Sequence, residues 1–152
     1  LAGIRLGLTF SSKEMSKLLN AMKAPYNIST NTSENGLKAF GEDSLKAMEE
    51  NSKMINKEKL RLLKELTSLE YVDDGYVGGL DANFLLLRIN KGDNVLAKNL
   101  YHKLATESKV VVRFRGTELG CSGCLRITVG TPEENDILIR EFSRVLSQLT
   151  SP

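Results

Sequence analysis

Two stretches carry most of the groups able to do chemistry. They are Val110-Val111-Val112-Arg113-Phe114-Arg115 and Cys124-Leu125-Arg126-Ile127-Thr128-Val129, joined by the Gly-rich residues 116–123. Read as strands of one hairpin, alternation puts Arg113 with Arg115 on one face of the first and Arg126 with Thr128 on the polar face of the second. A connection centred between Leu119 and Gly120 makes Arg113 and Arg126 direct cross-strand partners, since each lies the same distance from that centre. Like charges set opposite one another cost about 0.2–1 kcal/mol. Two guanidinium groups so held point to an anion, a phosphate or a carboxylate, that both can fork around. The alternative is that one arginine turns to bulk water or pairs with an acid such as Glu118.

Other reactive side chains carry less. Cys121-Ser122-Gly123-Cys124 has the spacing of a metal corner or a redox pair, but a structural zinc site takes four ligands and the chain adds only His102 to its two cysteines. A thioredoxin-like pair opens a helix, whereas this one precedes a strand. Small residues of a tight turn explain it better, and no metal is expected. His102, between Tyr101 and Lys103, has no Ser, Cys or carboxylate at partner spacing and reads as a surface or packing histidine. Ala2-Gly3-Ile4-Arg5-Leu6-Gly7 brackets Arg5 with glycines, which permits close approach of a ligand or another strand. Neither a phosphate-cradling lysine loop nor a dinucleotide fingerprint is present.

The elements that must position these groups follow from periodicity and caps. Ile4 to Phe10 reads as a strand. Ser11 and Glu14, at capping-box spacing, then open a helix with Met15, Leu18, Leu19 and Met22 on one face, ended by Pro25. A polar passage from Asn27 to Asn35 leads to a short helix that stops near Gly41. From Asp43 to Leu66 the apolar spacing predicts a long amphipathic helix, with Lys57, Lys59, Arg61 and Lys64 on a solvated face. Short β segments follow at Tyr71-Val72, Phe84 to Ile89, Val110 to Phe114 and Leu125 to Val129. Asp93 caps a helix through Val95, Leu96, Leu100 and Leu104. Thr131-Pro132-Glu133-Glu134 starts a closing helix with Leu138, Phe142, Val145 and Leu149 on one face.

Composition narrows the partners. With 21 Lys+Arg against 19 Asp+Glu in 152 residues, a net charge of +2 is too balanced for a large footprint on nucleic acid or an anionic membrane. Apolar runs such as Phe84 to Leu87 fall far short of the ~20 residues of a membrane-spanning helix. Two cysteines make no disulfide framework and fit a reducing compartment, the cytosol or an organelle matrix. The abrupt start at Leu1 suggests processing or truncation of a longer chain.

Gly120-Cys121-Ser122-Gly123-Cys124-Leu125-Arg126-Ile127-Thr128-Val129-Gly130-Thr131-Pro132-Glu133-Glu134-Asn135 resembles the C-terminal signature of the histidinol-phosphate aminotransferase family, fold-type-I pyridoxal-phosphate enzymes, most closely its fungal branch. Leu1-Ala2-Gly3-Ile4-Arg5-Leu6-Gly7 resembles the stretch after that family's cofactor lysine, and Ala82-Asn83-Phe84-Leu85 followed by Val111-Val112-Arg113 keeps the family order.

The resemblance implies an α/β fold in two parts. Residues 1–41 would be the last strand and helices of a large cofactor-binding domain. Residues 42–152 would be the connecting helix and a small α+β domain, its small and mostly antiparallel sheet packed with helices. It implies that Arg5 grips the phosphate of pyridoxal 5'-phosphate, that Arg126 and Arg113 bind the substrate's distal anion, and that no catalytic residue lies in this chain, the Schiff-base lysine falling before Leu1. Alone, the chain would be inactive. The implied substrates are histidinol phosphate and the glutamate/2-oxoglutarate couple, in a cytoplasmic homodimer without nucleic-acid or membrane partners. The competing readings are another pyridoxal-phosphate aminotransferase, a phosphothreonine decarboxylase, and a non-catalytic domain that binds a phosphorylated metabolite.

Overall fold

Capping side chains set where the helices begin. In the computed structural model, which describes residues 2–151, the Thr131 hydroxyl accepts from the Glu134 amide while the Glu134 carboxylate accepts from the Thr131 amide at 2.9 Å. Pro132 then opens α5 (Pro132–Thr150). Asp93 accepts from the amides of Val95 and Leu96 at 2.8 and 2.9 Å and starts the helix Asn94–Thr106. In chain order the described helices are α1 (Lys13–Ala21), α2 (Thr30–Ala39), α3 (Glu42–Thr67), α4 (Asn94–Thr106) and α5. The strands are β1 (Phe84–Arg88), β2 (Arg113–Phe114) and β3 (Cys124–Thr128). None of these helices is long and apolar enough to cross a membrane.

The chain divides between Glu50 and Asn51 into two units. In the second, β3 lies between β1 and β2 and pairs antiparallel with both. Alternation sends Leu85, Leu87, Leu125 and Ile127 to one face, where all are buried with Leu62 and Leu66 of α3, Leu100 and Leu104 of α4, and Phe142 and Val145 of α5. Each such side chain contributes about 1.5–3 kcal/mol relative to exposure. The small antiparallel sheet packed with helices is thus as the sequence predicts.

Several elements differ from the sequence expectations. Ile4 to Phe10 is no strand: a 3-10 turn over Ala2–Ile4 leads into irregular chain. This segment is held to a helix instead. The Thr32 hydroxyl donates to the Ile4 carbonyl at 3.1 Å, and Leu6 lies so close to the buried Gly36 that a Cβ there would sit 2.7 Å from it. The cap of α1 is Ser12, one residue beyond the expected Ser11, and α2 starts inside the polar passage because Ser29 accepts from the Thr32 amide at 3.1 Å. Tyr71-Val72 supplies one isolated bridge, Val72 to Ile89. Val110 to Val112 stay outside the ladder, beside an open cavity of about 420 Å³ lined in part by Val111, Thr128 and Ile137.

The charged side of α3 is also more than a solvated face. Glu58 and Lys59 are buried. The Lys59 ammonium donates to the carbonyls of Leu80 and, at 2.9 Å, Ala82, and to Asn56 Oδ1 at 3.0 Å, which ties the helix to the loop before β1.

Candidate functional site

The face of the sheet turned away from the core carries the candidate site residues. Alternation puts Phe84, Leu86 and Arg88 of β1 on that side, with Arg126 and Thr128 of β3 and Arg113 of β2. The register pairs Arg113 directly with Arg126, as the symmetric connection predicts, and Arg126 in turn faces Leu86. Backbone pairing alone therefore sets the two arginines opposite one another on adjacent strands.

Their side chains have different surroundings. Arg113 is exposed, whereas Arg126 is half-buried and its guanidinium carbon lies over the Phe84 ring, 5.2 Å from the centroid. That ring belongs to β1, so the Arg126 head group leans to the side of β3 opposite Arg113. Its Nε is buried with no hydrogen-bond partner among the described residues. Neither arginine is ion-paired among the described residues; Glu118, the acid the sequence offered as an alternative partner, binds Arg115 at 2.6 Å instead. A half-buried guanidinium with an orphaned donor is a group prepared to accept an anion, because an unmet charged donor costs at least ~1–3 kcal/mol until something accepts from it.

The connection 116–123 is built to hold this register. The Asn94 side chain clamps its two ends, accepting from the Gly123 amide at 2.7 Å and donating to the Gly116 carbonyl at 3.3 Å. Ser122 Oγ donates to the Gly92 carbonyl at 2.8 Å, and Gly123, with φ +67°, lies against the Gly92 backbone. Arg88 Nη2 donates to the Gly120 carbonyl at 3.0 Å. Cys124, paired with Arg88 across the strands, is fully buried. Burial pushes its thiol pKa up, opposed by the adjacent Arg88 guanidinium.

A second polar cluster fixes the end of β3 on α3 and α5. Buried Asn135 accepts from the Gly130 amide at 2.9 Å and donates to the Gly130 carbonyl at 3.1 Å and to Glu58 Oε2 at 2.9 Å. Arg61 binds Glu58 at 2.6 Å and Asp136 at 2.7 Å. The Arg61 and Asn135 hydrogen bonds hold the Glu58 carboxyl below its ordinary range.

Arg5, the remaining sequence candidate, belongs to the first unit, exposed and with φ +55°. His102 is exposed beside the Tyr101 ring, 4.9 Å between centroids. Sequence reasoning missed Phe84, Arg88 and Asn94. Alternation along Phe84 to Arg88 could have placed the first two on the polar face. Nothing local signals Asn94, whose partners lie 22 and 29 residues away.

Residues 1–142 match the family model described as aminotransferase class I and II. The histidinol-phosphate aminotransferase of Saccharomyces cerevisiae is 68% identical over 99% of this chain, and that of Candida maltosa is 49% identical over 98%. The chain spans about 39% of the length of each of these relatives. In fold it is similar to the solved histidinol-phosphate aminotransferase of Sinorhizobium meliloti in complex with pyridoxal-5'-phosphate, with a TM-score of 0.79 at 19% identity over 99% of this chain and 39% of that one.

Proposed function

This chain belongs to the class I and II aminotransferase family, and on that footing we propose that it forms the distal-anion-binding part of a histidinol-phosphate aminotransferase. The reaction of the whole protein exchanges an amino group between histidinol phosphate and 2-oxoglutarate, with glutamate as the other partner. Arg113 and Arg126 bind the substrate's far anion. The observation that carries this reading is the cross-strand pairing of two arginines without ion-pair partners among the described residues, one of them half-buried over Phe84. Phosphate and carboxylate both suit such a pair, so one site serves the phosphorylated substrate and the dicarboxylate alike.

Pyridoxal 5'-phosphate, when bound, supplies the electron sink for the amino-group exchange. Arg5 is the residue of this chain that suits its phosphate. The side chain is exposed, and a Cβ built on either flanking glycine, Gly3 or Gly7, meets no atom within 4 Å, which leaves room for a ligand to approach. The task of the two sheet arginines is orientation: anchoring the distal anion spends remote binding energy on aligning the reacting end. The protein works in the cytoplasm without nucleic-acid or membrane partners, a reading that two free thiols and a net charge of +2 support, and the homodimer rests on the family resemblance.

Turnover by the full-length protein tests the proposal. Histidinol phosphate is expected to exceed unphosphorylated histidinol at least tenfold in kcat/KM, about 1.4 kcal/mol of transition-state stabilisation. Equal values for the two substrates would remove the anion site from the reaction.

A further inference from the structure

The cysteine pair at the entry to β3 has no part in that chemistry, yet its geometry is specific. The Cys124 amide donates to the Cys121 carbonyl at 2.9 Å, closing a β-turn whose third residue, Gly123, has φ +67°. A β-turn holds its end Cα atoms within ~7 Å, and disulfides span Cα separations of ~4.4–6.8 Å. The pair also differs in access: Cys121 is partly exposed, while Cys124 is fully buried beside Arg88. Among the described residues no group of three His, Cys, Asp or Glu side chains could hold a metal, and both cysteines are free thiols at the two ends of one turn.

We propose that Cys121 and Cys124 form a reversible intramolecular disulfide by exchange with a low-molecular-weight disulfide. Cys121, as the accessible thiolate, attacks one sulfur of the small disulfide and expels the other as a thiolate. Cys124 then attacks the Cys121 sulfur of the mixed disulfide, forms the internal S–S bond and expels the second small thiolate. The two protons given up by the cysteines pass to the two released thiolates, so the protein dithiol is oxidised and the small disulfide reduced. A ring closed over so few residues removes little unfolded-state entropy, which keeps the bond weak and reversible rather than structural. Its position matters because Cys124 begins the strand that carries Arg126, and its cross-strand partner Arg88 holds the Gly120 carbonyl.

The intact full-length protein is incubated with glutathione disulfide, blocked with a thiol reagent and cleaved at arginine without reductant. The segment from Gly116 to Arg126 holds both cysteines. It is expected to be lighter by two hydrogens, unblocked, and restored by dithiothreitol. In Cys124→Ser the mixed disulfide on Cys121 should persist, and in Cys121→Ser the buried Cys124 should remain a thiol. Recovery of the wild-type segment with two blocked thiols, or with a persistent mixed disulfide on Cys121, overturns the proposal; this measurement on the wild-type protein decides it even if a variant does not fold.

Discussion

The Arg126 guanidinium carbon stands 5.2 Å from the centre of the Phe84 ring, reached diagonally across the β1–β3 ladder. The ring gives a half-buried cation a polarisable floor without competing for its donors, which stay available to an anion. Replacing Phe84 by Leu keeps the apolar volume but removes the quadrupole. In the full-length protein, if the proposed function holds, a loss of about 1 kcal/mol is expected, roughly fivefold in KM for histidinol phosphate with kcat little changed. Unaltered KM would show that the ring only fills space.

The pairing of Arg113 with Arg126 separates function from stability. Removing either in the full-length protein should lower kcat/KM for histidinol phosphate at least tenfold, about 1.4 kcal/mol. Arg113→Ala should at the same time leave the urea midpoint near wild type, because the side chain is exposed and has no ion-pair partner among the described residues. A structural arginine would behave in the opposite way, losing stability and sparing turnover.

How far the sequence could be read depended on whether the deciding interaction was local. The caps at Asp93 and Thr131 bind amides two or three residues away, so α4 and α5 were legible from spacing alone. The Arg113–Arg126 register was legible because a symmetric hairpin is fixed by its own connection. By contrast, Lys59 looked like one more cation on a solvated helix face. Its burial depends on carbonyls 21 and 23 residues later, which no periodicity reports. Ile4 to Phe10 failed for a related reason: β-prone residues form a strand only beside a ladder partner, and here Thr32 and Gly36 of α2 offer a different one.

That buried lysine gives a direct test. Lys59→Met keeps the apolar stem and leaves the carbonyls of Leu80 and Ala82 without their donor. A cost of about 1–3 kcal/mol is expected, read as a lower urea midpoint, together with faster amide exchange across residues 80–83. Wild-type stability and exchange would return Lys59 to the solvated face.

Glu58 predicts a pH dependence. Its folded pKa lies below the ordinary value of 4.5, first through the Arg61 hydrogen bond and then through that of Asn135. A carboxylate with a depressed folded pKa contributes stability that is fully present above the unfolded pKa and is lost as pH falls through the folded one. The contribution of Glu58 is therefore complete above 4.5 and fades only below it. Comparing urea midpoints of wild type and Glu58→Gln from about pH 3 to 7 isolates it: the gap between the two should be constant above 4.5 and narrow below. A gap independent of pH would mean that Glu58 titrates alike in both states.

Two glycines of the hairpin connection share a backbone conformation but not their surroundings. Gly120 has φ +74° and open space where a Cβ would go, whereas at Gly123, with φ +67°, the Cβ would sit 2.6 Å from the Gly92 backbone. Alanine at Gly120 meets only the left-handed penalty, about 1–2 kcal/mol. Alanine at Gly123 meets the same penalty and must also push apart two backbone segments that Asn94 and Ser122 hold together, so about 3 kcal/mol or more is expected. Because Gly123 directly precedes the strand that bears Arg126, its substitution in the full-length protein should also raise KM for histidinol phosphate, while Gly120→Ala leaves KM near wild type. Equal urea midpoints and equal KM values for the two variants would mean that the contact with Gly92 does not hold the register of the arginine pair.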